Sequence, residues 1–271
     1  MIQIKKNDQR ISSYRMDIRN FKIDLNMKYM GSKMKISKYI LPIITNNLSK
    51  GRCYVEPFCG GCNIIGEVKH DRRIASDANN YLIAMWRFLC GGYEFPKIIS
   101  KELYSEYRYQ FKKRGFIGLG DTLEEAMIGW VGFMGSFNGR FYDGGYSGHN
   151  VKGRDYISEQ IRNTLSQIDK LKSVEFWCSK YDEFEIPDNS VIYCDPPYKN
   201  TKQYLISKDF NSDEFWGWCR MMSNKGHEVI ISEYQAPDDF TCIWEKRITN
   251  SISIKKTYNP IEKLFVYKGL L

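Results

Sequence analysis

The apolar run Val191-Ile192-Tyr193-Cys194 ends on a carboxylate, Asp195, and is followed at once by Pro196, Pro197 and Tyr198. Proline has no backbone N–H and a locked φ, so two in succession stop a ladder of sheet hydrogen bonds. A short run that is apolar at every position suits a buried strand. The stretch therefore predicts a buried strand that stops abruptly and presents an acid, a rigid bend and an aromatic ring.

Upstream, "CYVEPF" (53–58) reads as a second strand, followed by the glycine turn "CGGC" and a predicted helix in "NIIGEVKH". "IAS" (74–76) is a strand ending on Asp77, and "NNYLIAMWRFL" is a helix. Strand, glycine turn, helix, strand, acid and helix form the opening of a doubly wound α/β domain. "KMKISKYILPII" before it has helical spacing at Ile36, Tyr39, Ile40 and Ile43.

From about 94 the pattern changes to predicted helices over Lys97–Lys113, Leu123–Met134 and Ile157–Leu171, flanking the glycine-rich "GSFNGRFYDGGYSGHNVKGR". Strands return with "VEFW" (174–177) and "VIYC" (191–194). A helix follows over "DEFWGWCRMMSN" (213–224), a strand over "HEVIISEY" (227–234), and a final antiparallel strand over "EKLFVYK" (262–268). The expected organisation is one α/β domain from residues 27–93 and 173–271, with a mainly helical segment, 94–172, inserted into it. Residues 1–26 are a polar lead-in expected to be poorly ordered.

Charge narrows the class of partner. Forty Lys and Arg against 32 Asp and Glu give a net charge of +8, which suits an anionic partner, nucleic acid first. No apolar run approaches the length of a membrane span, and the N-terminus lacks the apolar centre of a secretion signal. The expectation is a cytoplasmic protein. Among the eight cysteines, Cys59 and Cys62 form a C-x-x-C, but no second pair or His pair completes a metal site. No metal is expected.

Glu56, Asp77 and Asp195 each close a predicted strand. In open α/β sheets ligands bind outside the carboxyl ends of strands, and acids gathered there point to a binding site. Neither G-x-G-x-x-G nor a Walker loop is present, so a dinucleotide or triphosphate is disfavoured. A smaller adenosine ligand fits better, its ribose diol held by Asp77.

Four motifs, in order, carry a family resemblance: "KYMGSK" (28–33), "YVEPFCGGCNI" (54–64), "ASDANNYLI" (75–83) and "CDPPYKNTKQY" (194–204). The chain resembles the Dam-type (α-class, D12-class) DNA adenine-N6 methyltransferases, their bacteriophage members most, from about Met27 to the end. The resemblance implies a Rossmann-like methyltransferase fold, S-adenosyl-L-methionine as cofactor and double-stranded DNA as partner. It places Tyr29, Lys33, Asp77 and Asp195 on cofactor-contacting positions and Glu56 near the methionine amino group, with Pro57, Phe58, Gly60 and Asn79 in the same motifs. Tyr29 replaces the family's usual Trp, Ser32 its second Gly, and Cys62 its third Gly of the turn, which lowers the prospect of a redox role for the C-x-x-C.

Adenine's 6-amino nitrogen is a poor nucleophile because its lone pair is delocalised into the ring. Asp195 and the Pro196 carbonyl, held by the locked φ angles of Pro196 and Pro197, offer two acceptors for its N–H groups. They would draw the nitrogen toward a tetrahedral shape for in-line attack on a methyl group, and Tyr198 would stack on the adenine once flipped from the duplex. "SFNGR" resembles the family's aromatic-Asn-Gly loop, which implies DNA contacts for Phe137 and Asn138, with Arg140 suited to guanine or phosphate. Lys112, Lys113, Arg114, Lys152 and Arg154 are candidate phosphate contacts. A monomer or weak dimer, possessing or lacking a cognate restriction endonuclease, is the expected assembly. The rivals are an RNA base methyltransferase, a catalytically inactive DNA-binding relative, and a thiol oxidoreductase using Cys59 and Cys62.

Overall fold

The structure is a computed structural model that describes residues 26–148, 153–198, 210–247 and 261–270. Its elements are α1 (Ser37–Ile44), β1 (Tyr54–Glu56), β2 (Arg73–Asp77), α2 (Asn80–Cys90), α3 (Lys101–Arg114), α4 (Leu123–Gly135), α5 (Tyr156–Leu165), α6 (Ile168–Leu171), β3 (Val174–Cys178), β4 (Val191–Cys194), α7 (Ser212–Asn224), β5 (Glu228–Glu233), β6 (Phe240–Arg247) and β7 (Ile261–Tyr267). The strands form one seven-stranded sheet in the order β3-β2-β1-β4-β5-β7-β6. β2 pairs with β3, β1 with β4 and β4 with β5, all parallel, while β7 runs antiparallel to both β5 and β6. The expected mostly parallel sheet with an antiparallel final strand is present.

By contacts the chain divides into two compact units. The first holds Pro42–Pro57 and the described part of Glu185–Leu271. Its strands β1 and β4 are buried at every residue, as expected for parallel strands covered on both faces. Strand order turns at β1, with β4 on its far side, and β1 and β4 run in register from Tyr54 opposite Val191. Such a reversal point is where open α/β sheets bind ligands, and Glu56 and Asp195 stand at the carboxyl ends of these two strands.

The second unit holds the described part of Ile18–Leu41 together with Phe58–Phe184. Its core is α2, whose residues Tyr81 to Trp86 are all fully buried. α4 crosses α2 at Gly129, where a Cβ would come within 2.1 Å of the Tyr81 carbonyl oxygen. Glycine is required there because the two backbones touch. Truncating a buried aromatic of this core, such as Trp86 or Trp130, is expected to cost about 3–5 kcal/mol.

Four elements differ from the sequence reading. The segment after the glycine turn is a single 3-10 turn, Ile65–Glu67, not a helix. Ile64, Ile65 and Val68 are all buried, and Lys69 is the one exposed residue of 63–70, less than the polar face a surface helix keeps. α3 starts at Lys101, because the Ser100 hydroxyl caps it by accepting from Leu103 N. The stretch 157–171 is two helices, broken where Gln167 is used elsewhere, as described below. β6 is an additional strand. Among the described residues no helix is long and apolar enough to cross a membrane.

Candidate active site

The carboxyl end of β4 carries the Asp-Pro-Pro-Tyr segment. β4 stays buried through Cys194, and the chain then leaves the sheet with Asp195 half-buried, Pro196 buried, Pro197 half-buried and Tyr198 buried. The Tyr198 hydroxyl lies 2.8 Å from Glu262 Oε2 on β7 and 2.7 Å from Ser232 Oγ on β5. Its ring meets Tyr234 edge-on at 4.6 Å. Burial, with the charges of Asp195 and Glu262, pushes this phenol well above its ordinary pKa, so it remains a proton donor. Burial likewise pushes the Cys194 thiol well up, which keeps it from acting as a thiolate nucleophile.

Glu56, at the end of β1, is 3% exposed and accepts a hydrogen bond from the Tyr54 hydroxyl at 2.7 Å. Burial, and then the charge of Glu56, pushes the Tyr54 phenol up and keeps it a donor. Pro57 follows and is buried.

The glycine turn belongs to the second unit. It is closed by Cys62 N on the Cys59 carbonyl at 2.8 Å, with Gly60 at φ +48 and Cys62 at φ +54. The sequence assigned these glycines to the approach of a ligand. The close approach the structure shows is by Tyr29: a Cβ on Gly60 would sit 2.7 Å from Tyr29 Cε1, and one on Gly61 2.8 Å from Tyr29 Cβ. Asn63 Nδ2 reaches Ser32 Oγ at 2.8 Å and the Met27 carbonyl at 3.2 Å. Lys33 is buried, with Nζ 3.3 Å from the Gly31 carbonyl. Gln167 binds both segments: Met27 N donates to its Oε1 at 2.7 Å, and its Nε2 donates to the Gly61 carbonyl at 3.1 Å. This dual contact is what the break between α5 and α6 serves.

Asp77, at the end of β2, accepts Asn79 N on Oδ1 at 2.9 Å and Gly60 N on Oδ2 at 3.1 Å. Its pKa is nonetheless pushed up to about 6, because burial outweighs those two bonds. Asn79 caps α2, its side chain accepting from Leu82 N at 3.2 Å. Phe58 stacks on Tyr181 at 5.5 Å between ring centroids.

The glycine-rich segment closes as a compact turn in which Phe137 N meets the Gly145 carbonyl and Ser147 N the Gly135 carbonyl, both at 2.9 Å. Phe137 at its tip is 56% exposed, and Asn138 is exposed at φ +56. Arg140 is ion-paired with Asp143 at 2.8 Å, Arg114 with Glu124 at 2.6 Å, and Arg154 with Glu159 at 2.7 Å. Lys112 and Lys113 are exposed on the last turn of α3; Lys152 lies outside the described residues. Among the described residues no His, Cys, Asp and Glu cluster fits a metal ion, and Cys59 and Cys62 are both buried. Sequence reasoning had passed over Tyr54, Ser232, Glu262 and Gln167; of these only Glu262, an acid at the head of an apolar strand, carried a readable signal.

The model for D12 class N6 adenine-specific DNA methyltransferases matches residues 29–259. The chain belongs to this family. Its relatives include the DNA adenine methylase of Escherichia coli (strain K12), 26% identical over 194 residues, which are 64% of this chain and 64% of that protein. They also include the Type II methyltransferase M.FokI of Planomicrobium okeanokoites, 24% identical over 229 residues, 75% of this chain and 33% of that protein. A third is the Retron Ec67 DNA adenine methylase of Escherichia coli, 23% identical over 226 residues, 76% of this chain and 75% of that protein. The chain spans 64% of the length of the Escherichia coli methylase. The sheet order and mixed edge are those of a Rossmann-like methyltransferase fold, and membership of a methyltransferase family implies a methyl-donor cofactor.

Proposed function

We propose that this protein transfers the methyl group of S-adenosyl-L-methionine to the 6-amino nitrogen of an adenine flipped out of double-stranded DNA, at a specific sequence. The observation that carries the reading is the Asp-Pro-Pro-Tyr segment at the carboxyl end of the buried strand β4, in a chain of the adenine-specific family. The residues present suit the cofactor by charge: it bears an ammonium, a carboxylate and a ribose diol, and the motifs offer Glu56, Lys33 and Asp77. The Asp77 carboxylate, with one backbone N–H on each oxygen, keeps lone pairs for two hydroxyl donors.

When bound, the cofactor supplies a methyl group on a positively charged sulfur. Tyr29, Lys33, Pro57, Phe58, Gly60 and Asn79 shape its place. Asp195 and the Pro196 carbonyl accept the two amino N–H groups of the adenine, and Pro197 holds that carbonyl rigid. Both acceptors act by orientation and electrostatics, and no covalent enzyme intermediate is required. Tyr198 stacks on the base, whose unstacking costs a few kcal/mol. Residues 27–93 and 173–271 form the catalytic part, and 94–172 read the target through Phe137, Asn138 and Arg140. Lys112, Arg114, Lys152 and Arg154 take phosphates, which for Arg114 and Arg154 means exchanging an internal carboxylate for one. The proposal places the protein in the cytoplasm of a bacterial or phage-infected cell, as a monomer or weak dimer.

The test is incubation with methyl-labelled cofactor and duplex DNA, followed by base analysis. Label in N6-methyladenine, abolished by Asp195→Ala in a variant that still unfolds cooperatively, supports the reading. Label in cytosine or RNA, or full activity of the variant, refutes it.

A further inference from the structure

We infer that Glu262, together with Ser232, positions Tyr198 for its stacking on the target adenine; the inference rests on the reading of Tyr198 proposed above. Tyr198 comes directly after two prolines, so its backbone has left the ladder that holds β4. What fixes the residue is its side chain. The hydroxyl donates to Glu262 Oε2 at 2.8 Å, and its oxygen accepts from the Ser232 hydroxyl at 2.7 Å. A phenol has one proton to give and lone pairs to receive with, so this three-group chain uses both functions of the oxygen.

The two anchors are themselves fixed. Ser232 and Glu262 lie on β5 and β7, which pair antiparallel with Ser232 opposite Leu264. All three side chains are at least nine-tenths buried. A carboxylate is costly in such a place unless it is hydrogen-bonded, and a charged acceptor makes the stronger bond. Tyr234, whose ring stands nearly perpendicular to that of Tyr198 at 4.6 Å, adds a steric wall. A ring held in this way loses little side-chain freedom when a base stacks on it, and a supported side chain keeps the geometry that the transfer needs. Glu262 is thus a positioning residue, reaching the reaction through Tyr198.

The experiment compares Glu262→Leu, Glu262→Gln, Tyr198→Phe and the Tyr198→Phe/Glu262→Leu pair with wild type, measuring kcat on duplex DNA, cofactor KM and thermal unfolding. Glu262→Leu and Tyr198→Phe are each expected to lower kcat by about tenfold or more with cofactor KM nearly unchanged. Glu262→Gln keeps an acceptor oxygen and should recover most of the rate. The double variant should be no slower than the slower single variant, because both remove the same link. Multiplicative losses, or wild-type kcat in Glu262→Leu, overturn the inference. If Glu262→Leu fails to fold, Tyr198→Phe decides, since it removes one oxygen only, and an unchanged kcat there overturns it. A wild-type protein that leaves DNA adenine unmethylated defeats the proposed function itself, and this inference with it.

Discussion

The ring of Tyr29 lies so near Gly60 that a Cβ on the glycine would stand 2.7 Å from Tyr29 Cε1. The N-terminal motif and the glycine turn are therefore one packed object. Gly60 also sits at φ +48, a region that costs other residues about 1–2 kcal/mol. Gly60→Ala adds overpacking of about 1–3 kcal/mol to that strain. Denaturant unfolding should show the sum, and calorimetry should show weaker binding of the methyl donor. Pairing it with Tyr29→Ala should return the overpacking part but not the backbone part.

Asp77 sets a pH dependence. Its folded pKa of about 6 stands above the ordinary carboxylate value of about 3.9. The unfolded chain therefore gives up this proton first. The group favours the folded state fully below the unfolded value, and that contribution is lost as pH rises through about 6. With Asp77 holding the ribose diol as proposed, the hydroxyls donate to the ionised form, so cofactor binding should release a proton near that pH. Affinity should fall by up to about tenfold per pH unit as the solution is acidified below 6. Titrations between pH 5 and 7.5 test this, and Asp77→Asn should bind weakly with a flat profile.

Gly139 lies more than a hundred positions along the chain from the N-terminal motif, yet it packs against that motif. A Cβ there would come within 1.9 Å of the Lys28 carbonyl oxygen, at φ +66. The neighbouring backbone has to move, and Lys28 precedes Tyr29. Gly139→Ala should cost about 2 kcal/mol or more of stability. It should weaken cofactor binding as well as DNA binding. Normal cofactor affinity in that variant would mean that the contact is purely local.

What was legible in the sequence is what local pattern determines. β4 was readable because its apolar run ends on prolines, and α2 and α7 because their apolar spacing is helical. β6 was missed because a register shift between Cys242 and Trp244 breaks the period of two on which strands are recognised. The segment after the glycine turn kept an apolar look that suits helix or buried turn equally. The proposed site residues stand in readable motifs, but their fastening does not. Glu262 holding Tyr198 spans 64 positions. No local window of sequence contains such a pair.

The break between α5 and α6 bears on when this protein can assemble. Gln167 bonds to Met27, 140 positions earlier, and to Gly61, 106 positions earlier. A ribosome delivering the chain from its N-terminus makes both early motifs long before their common clamp exists. The glycine turn must wait, its long loop closed at an entropic cost, until residue 167 has emerged. Birth order and binding order are thus opposed: segments made early are secured only by one made much later.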